Sequence, residues 1–147
     1  MSKDALVKKV LFLCTGNSCR SQIAEAVVTA QLGNRWRAFS AGTDPAGYVH
    51  SKAIEVLAEI GIQHQGLSQH VDDFRQMDVD LVVTVCDSAA ESCPAWLGKG
   101  DVIHQSFADP ALARGLEDEI LAAFRQVRDQ ITVKIPALLE RHRYKAT

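Results

Sequence analysis

Cys14 and Arg20 are separated by five residues, Thr15-Gly16-Asn17-Ser18-Cys19, and this spacing suits a thiolate held beneath a tetrahedral oxyanion. Five residues can wrap such an anion so that successive backbone N–H groups point inward as a nest. Gly16 permits a close or left-handed backbone, and Asn17 tolerates one. Arg20 can add a bidentate pair of charge-assisted hydrogen bonds. The same field should lower the pKa of Cys14 below the ~8.5 of a free cysteine. A thiolate in that place is poised for in-line attack on the central atom. Ser21 could donate a hydrogen bond to the sulfur. The expected anion contacts are therefore Thr15, Gly16, Asn17, Ser18, Cys19, Arg20 and Ser21, with the Cys19 thiol itself read as a bystander.

Two further cysteines, Cys86 and Cys93, enclose Asp87-Ser88-Ala89-Ala90-Glu91-Ser92. Either alone would be read as a small buried hydrophobe or a surface residue. With Cys14 in the same chain, a redox role is the better reading. The C-x4-C and C-x6-C spacings are not those of ordinary zinc knuckles. Asp109 precedes Pro110, which confines it to an extended conformation. From a loop it could protonate a leaving oxygen if burial or a neighbouring anion raises its pKa.

The elements that must position these groups are legible as periodic runs. Val10-Leu11-Phe12-Leu13 predicts a strand covered on both faces, leading into Cys14. Ile23, Val27 and Ala30 recur at helical spacing, with Gly33 as a stop. The helix so placed would turn its positive N-terminus to the anion. Trp36 to Ala41 predicts a second strand closed by Gly42. Ser51 is expected to cap a helix whose buried stripe is Ile54, Leu57 and Ala58, ending at Gly61. Leu81 to Val85 is a β-branched run expected at the centre of the sheet, and Val102-Ile103 a weaker fourth strand. Leu116, Ile120, Phe124, Val127, Ile131, Ile135 and Leu138 mark a long last helix that Pro136 would kink or end. Strands alternating with helices predict one α/β domain over residues 1–147, a parallel sheet with helices on both faces. Ligands bind at the carboxyl ends of such strands, the edge to which Cys14, Cys86 and the Asp109 loop all belong.

A chain of 147 residues is the size of one domain and buries roughly 68–70% of its unfolded surface. Apolar residues make up 47% and charged residues 23%, the balance of a globular protein. A net charge of −2 offers no broad attraction for nucleic acid or an anionic membrane. Neither a signal-peptide core nor the ~20-residue apolar run of a membrane span is found. A cytoplasmic monomer is expected, in a compartment that keeps thiols reduced.

The run Leu13-Cys14-Thr15-Gly16-Asn17-Ser18-Cys19-Arg20-Ser21-Gln22 resembles the signature loop of the low-molecular-weight phosphatase superfamily. Its form is similar to that of the thioredoxin-coupled arsenate reductases. The resemblance extends to Ala24-Glu25, Ser40-Ala41-Gly42, Ala53-Ile54, Asp80-Leu81-Val82-Val83-Thr84, Cys86 with Cys93-Pro94, Asp109-Pro110-Ala111 and Val127-Arg128-Asp129, nearly the whole chain. It implies a four-stranded parallel sheet flanked by helices, and reduction of arsenate to arsenite, with phosphate or sulfate as mimics of the substrate. It further implies that Cys14 attacks arsenate and that Asp109 serves as general acid. Cys86 then attacks Cys14 and releases arsenite; Cys93 attacks Cys86, and thioredoxin reduces the Cys86–Cys93 disulfide. Some members bind potassium through residues matching Asn17, Glu25 and Ser40 plus an aspartate, whose position falls here at about Gln69.

Serial disulfides require movement, because two sulfurs bond only when their Cα atoms lie about 4.4–6.8 Å apart. A segment such as Ala89-Ala90 could be helical in one state and unwound in the other. The main rival is a low-molecular-weight protein tyrosine phosphatase using Cys14, Arg20 and Asp109 with water. That reading leaves Cys86 and Cys93 idle, and Ala111-Leu112-Ala113 stands where such phosphatases usually carry aromatic residues. A module that binds the oxyanion without turning it over is a third reading. His50, His64, His70, His104 and His142 show no ligand spacing and are read as surface or structural. Trp36 and Trp96 are read as packing residues, with Trp96 near enough to Cys93 to touch a partner. Arg141, His142, Arg143 and Lys145 form a basic end suited to a helix C-terminus.

Overall fold

The computed structural model describes residues 7–87, 96 and 98–145. The segment holding Cys93, Ala89 and Ala90 lies outside the described residues. Four parallel strands form one sheet: β1 (Lys8–Cys14), β2 (Trp36–Gly42), β3 (Leu81–Thr84) and β4 (Asp101–His104), in the spatial order β2-β1-β3-β4. The α-helices are α1 (Arg20–Leu32), α2 (Ser51–Glu59) and α3 (Glu117–Lys145). The expected four-stranded parallel α/β sheet is thus present. β1 and β3 are buried along their cores as their continuous apolar runs predict. β4 lies at the sheet edge and is largely exposed, which explains its weak sequence signal.

One face of the sheet carries Val10, Phe12, Leu81 and Val83 and packs against apolar residues of α1, α2 and α3. The opposite face carries Leu11, Leu13, Ala41 and Val82 and is covered, among the described residues, by Val71, Phe74, Val79 and Trp96. Val71 and Phe74 belong to a 3₁₀ turn that His70 caps through Nδ1. Trp36 and Trp96 are both buried, as packing residues should be. None of the described helices is long and apolar enough to cross a membrane.

Several expectations about the helices are refined. α2 begins one residue earlier than a Ser51 cap requires: His50 is the cap, accepting the Lys52 N–H at Nδ1 over 3.1 Å. Its buried stripe is Ala53, Val56 and Leu57, while Ile54 is 40% exposed, because α2 turns toward α3 and α1. In α3 the helix runs through Pro136 without ending. Leu116 precedes that helix and is exposed; Leu121 and Leu139 take places on the buried stripe instead.

The order β2-β1-β3 makes β1 the strand at which the chain changes direction across the sheet, the place where α/β folds form a ligand crevice. Leu13 pairs with Thr84, and the Val85 N–H donates to the Leu13 carbonyl at 2.8 Å. Cys14 ends β1, and Cys86 lies two residues beyond the end of β3; both are buried in the same apolar cluster.

Candidate active site

Cys14 closes β1 and its sulfur lies 2.9 Å from Ser21 Oγ. Asn17 Nδ2 donates to that same Ser21 oxygen at 2.8 Å. With its oxygen accepting from Asn17, the Ser21 hydroxyl has its hydrogen to give to the sulfur. The expected serine-to-thiol contact is therefore in place.

The loop carbonyls are drawn outward. Thr15, Gly16 and Ser18 carbonyls accept from the backbone N–H groups of Asp44, Ala46 and His50 at 2.9, 2.9 and 3.0 Å. Gly16 O also accepts from Ser68 Oγ, and Asn17 O from Gln22 Nε2. Carbonyls tied outward leave the orientation in which nest amides face a bound anion. Cys19, at the N-cap of α1, supplies no side-chain cap hydrogen bond, so the helix start is not closed off by its own residue. The left-handed position of the loop is Asn17, with φ 46°, and not Gly16. Asn17 is stabilised there because its Oδ1 accepts the Gln69 N–H at 2.7 Å. The glycine that close approach demands is Gly42, where a Cβ would lie 2.3 Å from Thr15 O.

Arg20 opens α1 almost fully buried. Its Nη1 donates to the Phe107 carbonyl at 3.2 Å, and its Nη2 lies 3.5 Å from Asp109 Oδ2. Asp109 is extended before Pro110, with φ −81° and ψ 107°, as the pre-proline position predicts, and its Oδ1 accepts the Ala111 N–H at 3.0 Å. A cavity of about 200 Å³ joins these groups, lined by Cys14, Gly16, Ser18, Arg20 and Asp109 from the expected set. Cys19 also lines it, but burial, helped by the Asp109 charge, pushes its thiol up to about 12. Tyr48 and His50 form the remaining polar wall.

Cys14 and Cys19 are free thiols, whereas Cys86 is disulfide-bonded and fully buried. Cys93 lies outside the described residues. Thus Cys14, Arg20 and Asp109 meet in one cavity, and Cys86 follows the neighbouring strand β3 within the apolar cluster that holds Cys14.

The residues expected around potassium are bonded to protein. Ser40 Oγ donates to Glu25 Oε1 at 2.9 Å, and burial pushes the Glu25 carboxyl up. Glu25 Oε2 faces His64 Nε2 at 3.9 Å; that nitrogen also lies 2.7 Å from Gln22 Oε1. At position 69 the backbone N–H donates to Asn17 Oδ1 and the carbonyl accepts from the Gly42 N–H. Among the described residues no group of three or more His, Cys, Asp or Glu is placed to hold a metal.

Sequence reasoning assigned no role to Gln22, which is fully buried and ties the loop to the Leu67 carbonyl at 2.8 Å. It also missed His50, which reaches the cavity only through the β2–α2 connection. The one local signal for His50 was its place directly before the helix.

The family model described as low molecular weight phosphotyrosine protein phosphatase matches residues 9–146. The chain belongs to this family. Within the low molecular weight phosphatases it is similar to the arsenate reductase of Halalkalibacterium halodurans, 42% identical over 90% of this chain and 96% of that one. A solved arsenate reductase in the phosphate binding state superposes with a TM-score of 0.71 at 27% identity, covering 92% of this chain and 98% of that one. A thioredoxin-dependent arsenate reductase from Corynebacterium glutamicum gives 0.59 at 25% identity, covering 95% of this chain and 61% of that longer one.

Proposed function

We propose that this protein reduces arsenate to arsenite with Cys14 as nucleophile, Arg20 and the loop amides as the oxyanion cradle, and Asp109 as general acid. The observation that carries this reading is the convergence of Cys14, Arg20 and Asp109 on one cavity, with a disulfide-bonded Cys86 in the same buried cluster as Cys14. The Cys14 sulfur attacks arsenic, and one arsenate oxygen leaves as water with a proton from Asp109. Cys86 then attacks the Cys14 sulfur. The S–As bond breaks, its electron pair stays on arsenic, and arsenite departs as a Cys14–Cys86 disulfide forms. Cys93 attacks Cys86, which restores the Cys14 thiol and leaves a Cys86–Cys93 disulfide.

Free thiols at Cys14 and Cys19 beside a bonded Cys86 support Cys93 as the final partner. Thioredoxin is the reductant this reading assigns, as the name of the C. glutamicum relative says of that protein. The cytoplasm, where a reduced dithiol carrier is available, is the compartment it fits. No potassium step is invoked. The test is arsenite formation with thioredoxin, thioredoxin reductase and NADPH. Turnover that needs Cys14, Cys86 and Cys93 supports the relay; hydrolysis of a phosphotyrosine analogue that needs Cys14 alone, with no arsenite, overturns it in favour of a phosphatase.

A further inference from the structure

His50 is fastened to the anion loop through its backbone and lines the cavity. Its N–H donates to the Ser18 carbonyl at 3.0 Å, so any shift of the loop shifts this residue too. Its Nδ1 accepts the Lys52 N–H at 3.1 Å as the cap of α2. The ring packs on Phe124 of α3, with centroids 4.7 Å apart, and lines the cavity beside Arg20 and Asp109. A neutral imidazole whose Nδ1 accepts must carry its hydrogen on Nε2. The cap therefore fixes the tautomer and leaves an N–H as the ring's polar group for the cavity.

We propose that His50 is a substrate-binding residue of this site, a neutral Nε2–H donor to the oxyanion held over Cys14. The proposal rests on the oxyanion reading of the cavity. Burial and the Lys52 charge hold the ring's pKa below its ordinary value, against the pull of Asp109. A neutral donor suits the chemistry. Arg20 already supplies the cation, and a second positive charge beside Asp109 would hold that carboxyl ionised when it must carry a proton.

Two substitutions separate the ring nitrogens. His50→Asn places an amide near Nδ1 and retains a good helix cap, but cannot reach where Nε2 stood. His50→Gln places its amide nitrogen near Nε2 and loses the cap. Binding of inorganic phosphate to the full chain is measured by calorimetry, which needs no turnover, alongside the KM for arsenate and the melting temperature. His50→Asn should melt within a degree or two of wild type, yet bind phosphate about tenfold more weakly and show a matching rise in KM, as loss of one hydrogen bond to a charged acceptor predicts. His50→Gln should melt about 3 °C lower with phosphate affinity within about threefold of wild type. Unchanged phosphate affinity in His50→Asn, with wild type binding phosphate, overturns the proposal and leaves the oxyanion site standing. No phosphate binding by wild type overturns both.

Discussion

The loop after β1 and the loop after β4 meet over one cavity, and they are fastened in opposite ways. From Thr15 to Ser18 every carbonyl accepts a hydrogen bond, three from backbone N–H groups of the distant Asp44, Ala46 and His50, and that of Asn17 from the Gln22 amide in α1. Asp109 is held by the Ala111 N–H within its own turn and by Arg20 at 3.5 Å, and a quarter of its side chain is exposed. The contrast follows from the work each loop does. Donors that stabilise developing negative charge act best when they are already in place and cannot relax. A proton donor must be recharged from water each turnover, so it benefits from exposure and a looser attachment.

The comparison can be broken from either side, and the cradle should fail harder. Arg20→Lys loses the planar fork, the Phe107 carbonyl contact and the approach to Asp109 together. Arsenate turnover should fall on the order of 10³-fold, and phosphate affinity should fall with it. A steady-state assay paired with calorimetry checks both. Asp109→Asn keeps the acceptor for Ala111 N–H but cannot give a proton. Its kcat should fall about 10²-fold while phosphate binds as tightly as before, or more so because a negative charge is gone. Parallel losses of binding in the two variants would mean that Asp109 belongs to the cradle after all.

A smaller effect sharpens the view that the cradle is built from outside itself. Asn17→Ala leaves the part-buried Gln69 N–H without its acceptor and puts a side chain with no hydrogen-bonding group at φ 46°. The cost should be about 2 kcal/mol of stability, read by denaturant unfolding. Asn17→Gly removes the backbone strain and isolates the hydrogen-bond share.

The smallest predicted effect lies behind the loop. Burial raises the Glu25 carboxyl above its ordinary value in the folded chain. The folded state then keeps a proton that the unfolded state has lost, and the stability this gives is present below the ordinary carboxyl value and lost as pH rises through the raised one. His64, itself lowered by burial, is neutral over the upper part of that range and does not offset the loss. The melting temperature of Glu25→Gln relative to wild type should therefore climb as pH rises from the ordinary carboxyl value through the raised one. A flat difference across that range would show that Ser40 and His64 already compensate the charge.

Local spacing made the cradle readable before any coordinates. Cys14, Arg20 and Ser21 lie within one strand–loop–helix unit, so the residues that touch are the residues that are near in the chain. Asp109 was readable because Pro110 restricts it and because the loop follows a strand. What supports the cradle was not readable. Gln69, Gln22 and His64 act through contacts made when distant segments come together, and His50, marked only by its place before a helix, reaches the cavity the same way. The helix errors have a similar origin. Ser51 and His50 can both cap, and packing of α2 against α3 decides between them; Pro136 is tolerated because the buried stripe Ile131, Ile135, Leu138 and Leu139 holds both sides of α3 together.

The most direct test of the central claim is arsenite production by the thioredoxin-coupled protein, wild type against Cys14→Ser, Cys86→Ser and Cys93→Ser. Multiple-turnover arsenite formation by wild type and by none of the three variants is the predicted result. Undiminished turnover in Cys86→Ser or Cys93→Ser would contradict the relay, whatever chemistry Cys14 performs.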